Sequence, residues 1–485
     1  MVSIVARKPI EKNEQDGPSI VAPSAVSAGA TRAVGVVLAA GASSRMAPDF
    51  KPLLDLHGAT VLARCVETLR AGGVADVLVV TGHRAEEVAA EAGRLGVATV
   101  RNPAWREGGM FSSVRTGLAA VAGRVDDAGA LLLPVDAALV RPLTVRLLLE
   151  RASLCPCRVL LPVFDGQWGH PPLLPPALLS IVLADNGEGG LRGALHRLGR
   201  EKRAEVAVPD RFILRDMDTP GDYRAARADW PTRDEPTPQE ARALLAVRSV
   251  PPGGMAHAEG VAAVAVRLAD ALNRVRGGGL TGGKPVNVPR LDRDLVEAAA
   301  LLHDIAKGQP RHEAAGGALL RELGFSGVAD IVAAHRDSAL SDDQPLTERE
   351  LVYFADKLVR CHMVVDVEAR FGEKLAQWRH DPEAAVAIEG RLQRALALRA
   401  RLEAEAGRPL QDMLFPLCVG QPAWAPALDG SAALSACPAT APLLFAGPGV
   451  SAVPAVQHVQ TETSASSAIG PAGGRGPASR SGGRA

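Results

Sequence analysis

Aromatic side chains make up only 3% of this 485-residue chain, with two tyrosines and five tryptophans, too few for a base-stacking platform. Neither sign of charge dominates: 54 Lys and Arg face 54 Asp and Glu, a formal net charge of zero. The basic stripe that marks a nucleic-acid binder is therefore missing, and no nucleic-acid partner is expected. Cysteine is sparse and scattered, at Cys65, Cys155, Cys157, Cys361, Cys418 and Cys437. A disulfide framework would be denser in a shorter chain, so a reducing, cytoplasmic compartment is expected, and Cys155-Pro156-Cys157 by itself is too little for a metal site. No apolar run reaches the roughly 18 residues a membrane span requires, so no membrane partner is expected. The first 30 residues carry charges throughout "ARKPIEKNEQDG" and lack the apolar stretch of a signal peptide.

What is present is a 47% hydrophobic content in a chain well above the size of one domain, which predicts two cores. Residues 1–32 are polar and then Ala/Ser/Gly-rich, and read as a disordered tail. From 33 to 228 short β-rich runs alternate with helical patterns: "VGVVLAA" (34–40), "VADVLVVTG" (74–82), "GALLLPVD" (129–136), "CRVLLPVF" (157–164) and "AEVAVP" (204–209). That alternation predicts a parallel-rich sheet with helices on both faces. The Pro- and charge-rich segment 229–245 reads as a linker, 246–413 as almost wholly helical, and 276–290 as a mobile loop within it. Residues 414–485, rich in Ala, Pro, Gly and Ser, read as a second disordered tail.

Chemistry concentrates in two places. In "LAAGASSRMAPDFKPLL" a strand runs through Ala39 and Ala40 into Gly41 and Ser43, followed by Arg45 and Lys51. Small residues let backbone N–H groups approach a phosphate closely, and the two cations would neutralise triphosphate oxygens. The turn follows the first strand, where open α/β sheets bind ligands. A Gly/Ser turn can equally be only a turn. Asp136 ends a buried strand and Asp218 follows another predicted strand; taken singly, each also reads as a turn or cap residue. Together they could share one Mg²⁺ ion.

The string L-A-A-G-x-S-x-R-M followed by K-x-L-L resembles the signature of molybdenum cofactor nucleotidyltransferases. Further segments are similar to that family in the same order: "NPAWREGGMFSSVRTGL", "LLLPVDAALV", "GQWGHPPLL", "NGEGGLRGALHR" and "LRDMDTPGDY". The resemblance implies a Rossmann-like α/β domain that transfers a nucleotide from an NTP to molybdopterin and releases pyrophosphate. By it, Ala39, Ala40, Gly41, Ser43, Arg45 and Lys51 would bind the nucleotide, and Arg45, Lys51 and Asp136 would be catalytic. Asp136 and Asp218 would hold Mg²⁺. Ser112, Ser113, Arg115 and His170 would meet the acceptor, although His170 also reads as a structural loop residue. "LAAG" leans toward the cytidylyl branch, hence CMP. Ala47 stands where the family usually has Gly, and Val135-Asp136-Ala137-Ala138 replaces G-D-M-P, which leaves acceptor recognition open. A client molybdoenzyme would be a natural partner.

The second place is "LLHDIAKGQP", where His303-Asp304 reads as lying within the helix "DLVEAAALLHDIAKG", after an Ala/Leu-rich run. Adjacent helical residues project about 100° apart, so both can reach one metal. An Asp in such an apolar stretch needs a partner. His257, His312, His335 and Asp356 lie in other helical segments, and imidazole with carboxylate suits Fe, Mn or Zn. A lone helical His is usually structural, and His257 could simply sit near a helix start. The ordered pattern H…HD…H…H…D resembles the HD superfamily of metal-dependent phosphohydrolases, in particular its dinuclear branch with HD-type diadenosine tetraphosphate hydrolases. By that resemblance the domain is all-α, His257, His303, Asp304 and Asp356 would hold a first metal, and His312 and His335 would complete a second, with Asp304 catalytic. Lys307 and Arg360 could meet a phosphate, or be solvated charges.

The leading expectation is a multidomain, bifunctional enzyme. Two others stand beside it: a first domain acting on a sugar phosphate or another phosphorylated acceptor, and one inactive domain serving as a nucleotide sensor or assembly module.

Overall fold

The computed structural model describes residues 32–423 apart from 124–126, 277–279, 282–283, 286–287, 336–343, 418 and 421–422. The expected tail at 1–31, most of that at 414–485 and parts of the loop 276–290 lie outside the described residues.

The first domain is built on an eight-stranded sheet. Its strands are β1 (Ala33–Ala39), β2 (Asp76–Thr81), β3 (Ala98–Arg101), β4 (Gly129–Pro134), β5 (Val159–Phe164), β6 (Gln167–Trp168), β7 (Leu173–Leu174) and β8 (Arg203–Ala207), in the order β3-β2-β1-β4-β7-β5-β6 with β8 on β5. β3, β2, β1 and β4 run parallel, with Val34 opposite Asp76 on one side and Ala130 on the other. β7 is antiparallel to both β4 and β5. The sheet is thus parallel in its first half and mixed in its second.

Helices cover both faces: α1 (Val61–Ala71), α2 (Ala85–Arg94), α3 (Gly109–Ala122), α4 (Pro142–Leu154), α5 (Pro176–Leu183), α6 (Gly190–Arg197) and α7 (Pro220–Asp229). β1 shows why the strands are apolar on both sides. Val37 and Ala39 enter one core with Val61, Leu62 and Leu148. Val34, Val36 and Leu38 enter the other with Val114, Leu118 and Leu179. A doubly covered parallel strand needs this near-continuous apolar run.

The second domain is helical except for two short hairpins. It comprises α8 (Pro238–Val247), α9 (Pro252–Asn273), α10 (Arg293–Leu302), α11 (His312–Leu323), α12 (Ser326–Ala333), α13 (Glu348–Lys357), α14 (Val367–Gln377), α15 (Pro382–Ala406) and α16 (Leu410–Leu414). One core joins Leu244, Val261, Leu268, Leu302, Val332, Phe354 and Leu402.

The segment read as a linker, 229–245, is ordered here. Thr237 and Glu240 form a capping box that starts α8, and Ala241, Leu244 and Leu245 belong to the helical core. Leu414 and Ala423, read as tail, are also buried in that core. Between the domains Arg141 is fully enclosed. It donates to Asp210 Oδ1 at 3.0 Å, pairs with Glu240, and lies over the rings of Phe212 and Phe325. Arg211 closes the group on Glu240 Oε2 at 2.6 Å.

Candidate functional site

In the first domain the charged residues meet at the C-terminal ends of β1 and β4. Ala39 and Ala40 are buried there, and the chain then opens into the exposed Gly41, around which an added Cβ would touch nothing within 4 Å. Ser43 takes the left-handed conformation, φ 52°, and its Oγ accepts from the backbone N–H of Lys51 at 3.2 Å. That contact folds the segment 48–50 back so that buried Lys51 points inward. Lys51 Nζ lies 2.7 Å from Asp218 Oδ1 and 3.3 Å from Asp136 Oδ2, and Arg45 Nη1 lies 3.2 Å from Asp218 Oδ2. Arg45, Lys51, Asp136 and Asp218 are therefore brought together.

Asp218 is not at a strand end, as the sequence suggested. It follows a short helical turn, Arg211–Leu214, and precedes the Thr219–Asp222 capping box of α7. The backbone N–H of Met217 donates to Asp136 O at 3.1 Å, and this stitch holds the aspartate segment against the end of β4. It also places Asp216, which sequence reasoning passed over. The D-x-D spacing of "RDMD" was the available signal. Burial, backed by the charges of Asp136 and Asp218, raises the Asp216 carboxyl above its usual range although His170 works the other way. A cluster short of positive charge in this way suits a divalent cation held by Asp136, Asp216 and Asp218.

His170 joins the same cluster. Gly169 permits it: a Cβ there would lie 2.3 Å from Ile213 O, and His170 N donates to that oxygen at 2.9 Å. Burial lowers the affinity of the imidazole for a proton, and its Nδ1 is sealed off without a hydrogen-bond partner among the described residues. A cleft of about 350 Å³ opens beside it, walled by Pro172, Leu191, Arg192, Ile213 and Asp216. The other acceptor candidates have local partners. Ser112 and Ser113 receive the side-chain amide of Asn102 at 2.7 and 3.0 Å, and Arg115 donates to Asp185 O.

In the helical domain the ordered motif residues converge. His303 and Asp304 were expected inside a helix, but α10 stops at Leu302. The Nδ1 of His303 lies 2.7 Å from Ala300 O, the carbonyl that a continuing helix would give to Asp304 N. The chain then tightens into turns, Ile305 N to Leu302 O and Lys307 N to Asp304 O. His335 repeats the device past the end of α12, with Nδ1 2.6 Å from Val332 O. His257 does not open its helix: α9 begins at Pro252, and His257 Nδ1 meets Cys361 O at 2.9 Å. In all three rings a carbonyl fixes Nδ1 as the donor and leaves the Nε2 lone pair free for a metal.

Those lone pairs aim at carboxylates. His257 Nε2 is 3.3 Å from Asp356 Oδ1 and 3.9 Å from Asp304 Oδ2, and His303 Nε2 is 3.5 Å from Asp304 Oδ2. On the other side His312 Nε2 is 3.3 Å and His335 Nε2 3.7 Å from Asp304 Oδ1. Two groups have ligand atoms within 4.8 Å of one another: His257, His303 and Asp304, and Asp304, His312 and His335. The fully buried Nε2 of His303 has no hydrogen-bond partner among the described residues, an unfavourable state for an imidazole nitrogen unless a metal takes it. The donor set thus fits two divalent transition-metal ions, with Asp304 shared.

Burial opposes the charge of Asp304, but the imidazoles of His303, His312 and His335 outweigh it and hold the carboxyl well below its usual range. At Asp356 burial is likewise outweighed, by Lys357 first and then His257 and Arg370. Lys357 and Arg370 were not singled out from sequence, because neither carries a motif signal. Of the cations that were, Lys307 pairs with Asp304 Oδ2 at 2.6 Å, whereas Arg360 is turned to the surface and pairs with Glu373.

Among the described residues no helix is long and apolar enough to cross a membrane. A stretch of 77 residues is 47% identical to the "Bifunctional IPC transferase and DIPP synthase" of Rubrobacter xylanophilus, covering 15% of this chain and 18% of that protein. Another, of 86 residues, is 40% identical to the "Nicotine blue oxidoreductase" of Paenarthrobacter nicotinovorans, covering 18% and 42%. The chain thus spans less than half the length of either curated relative. Among solved structures, a nucleotidyl transferase from Methanothermobacter thermautotroptrophicus aligns with 41% of this chain and 98% of its own, at 25% identity and a TM-score of 0.36. Family models match two segments in turn, and the chain carries a MobA-like NTP transferase domain over residues 35–203 followed by an HD domain over residues 254–361.

Proposed function

We propose that the first domain transfers a nucleotide, CMP by preference, from an NTP to molybdopterin or its molybdenum form and releases pyrophosphate. The observation that carries this is the contact of Lys51 with both Asp136 and Asp218 beside the open turn at Gly41. With a triphosphate bound, Lys51 and Arg45 would turn to its oxygens, and the freed carboxylates of Asp136 and Asp218, with Asp216 beside them, would hold Mg²⁺. Mg²⁺ held there would supply charge screening for the phosphates. The cleft beside His170, which Asp216 also lines, would receive the acceptor. Pyrophosphate release from each NTP with Mg²⁺ and molybdopterin tests the reading. Release with one NTP, abolished in Asp136→Asn, is expected. No release from folded protein with either acceptor form overturns the molybdopterin assignment.

A second reading, transfer to a sugar phosphate or other phosphorylated acceptor, is favoured by one observation. Ala137 and Ala138, where the resembled family differs, are both buried and offer the acceptor nothing polar.

For the HD domain the proposal is hydrolysis of a phosphoester or phosphoanhydride. Two bound ions, Fe or Mn by donor type, would activate water and polarise the phosphoryl group. His257, His303, Asp304 and Asp356 would hold one, Asp304, His312 and His335 the other. Lys307, half-exposed and paired with Asp304, would receive a substrate phosphate. The proposed setting is the cytoplasm, with a client molybdoenzyme receiving the product of the first domain.

A further inference from the structure

Between the two domains, away from either cluster of acidic ligands, lies a cleft of about 490 Å³. Arg146 of α4, Trp230 and Arg233 form one side, and Glu322 to Gly324 at the end of α11 form the other. The arginines nearby are mostly committed. Arg141 is held by Asp210 and Glu240. Arg64, 4.4 Å from the Trp230 ring centroid, is held by Glu67 and by the carbonyls of Leu56 and His57. Arg146 gives one N–H to Glu322 O at 3.0 Å, and its remaining donors have no partner among the described residues.

Arg233 differs from all of these. Its guanidinium lies 4.5 Å from the Trp230 ring centroid, and among the described residues none of its N–H groups has an acceptor and no carboxylate pairs with it. Burial, then the like charge of Arg141, lower it to about 10, which leaves it protonated at neutral pH. The acidic groups of the cleft do not answer it: Asp234 Oδ2 accepts from the Ser326 hydroxyl at 2.7 Å, and Glu322 is exposed at the rim. Arg233 is half-buried, and Asp210 and Glu67 favour its charge without pairing with it directly, so an anion entering the cleft would meet free guanidinium donors.

We propose that this interdomain cleft binds a small phosphate-bearing anion, with Arg233 and Arg146 as its charged donors and Trp230 as the flat wall beside it. The planar fork of a guanidinium matches a phosphate in two parallel hydrogen bonds. The site needs no metal. Residues of both domains line it, so an occupant ties Trp230–Asp234 to the end of α11.

The test titrates the full chain with inorganic pyrophosphate, and separately with inorganic phosphate, under a chelator, by calorimetry and tryptophan fluorescence. Lys51→Met, which disables the first-domain cradle, is expected to retain binding. Arg233→Gln is expected to weaken it by about tenfold or more, the scale of losing one charged donor. Tighter binding of pyrophosphate than phosphate assigns a diphosphate-bearing ligand, and the reverse a monophosphate. If Arg233→Gln melts early, Arg146→Gln reads the same loss. Binding unchanged in both arginine variants, or absent from Lys51→Met, overturns the proposal.

Discussion

Lys357 Nζ lies 2.7 Å from Oδ2 of Asp356, its own neighbour in sequence, and both residues are buried. The lysine occupies one carboxylate oxygen and leaves Oδ1 facing His257 and His303. It therefore orients a ligand rather than touching a metal, and a partner of this kind typically changes metal affinity by about 10–100-fold. Lys357→Met is expected to lower retained transition metal on that scale. It also leaves Asp356 less compensated, so the metal-free protein should lose about 3–5 kcal/mol of stability. Metal analysis after dialysis, together with melting with and without Mn²⁺, checks this. Unchanged metal content would remove the positioning role.

In the first domain Lys51 stands between Asp136 and Asp218, and its removal should act in opposite directions on the two ligands. Without Nζ, two carboxylates face each other with less positive charge between them, so Mg²⁺ alone should bind Lys51→Met more tightly than wild type. The triphosphate loses its buried cation, so pyrophosphate release should fall by about 10²–10³-fold. Calorimetry with Mg²⁺ and then with NTP separates the two. Weaker binding of both would mean that Lys51 is chiefly structural.

The elements most legible in the sequence were those whose physics is local. β1, β4 and β5 are apolar on both faces and show as continuous runs. β3, "ATVR", lies at the sheet edge with alternate residues exposed, and so gives too short a signal to stand out. The end of α10 was hidden for another reason. The sequence "ALLHDIAKG" keeps its helical pattern, while in the structure the His303 ring takes Ala300 O and the chain passes into tighter turns. Asp216 went unnoticed because its role depends on the Met217–Asp136 backbone contact, which joins segments far apart in the chain. The stretch 229–245 has the composition of a linker, yet Glu240 is drawn into a buried ion cluster by Arg141 and Arg211.

Asp304 belongs to both histidine groups, and this sharing predicts a pattern of metal loss. Asp304→Ala should remove both ions. His257→Ala and His312→Ala should each leave about one of roughly two per chain, as in two-metal sites generally. Pyrophosphate release by the first domain should be unchanged in all three. Elemental analysis of each purified variant reads the pattern directly. Equal retention in Asp304→Ala and His312→Ala would mean that the two groups do not share a ligand.

Glu240 gives the joint between the domains a pH signature. Burial works to raise its carboxyl, but Arg141 and Arg211 together outweigh burial and hold it below the usual range. A depressed folded pKa means that the unfolded chain binds the proton more readily. The contribution of Glu240 is then fully present above the unfolded value, near about 4.3, and is lost as pH falls through the folded value. At neutral pH, Glu240→Gln leaves Arg141 and Arg211 short of a buried counter-charge and should cost about 3–5 kcal/mol. As pH falls below the unfolded value the unfolded chain takes up the proton first, so the wild type loses this contribution and the gap between variant and wild type should narrow. Denaturant melts of both proteins at stepped pH measure that gap. A gap that stays constant, or widens toward acid, would mean that Glu240 acts through packing and not through its charge.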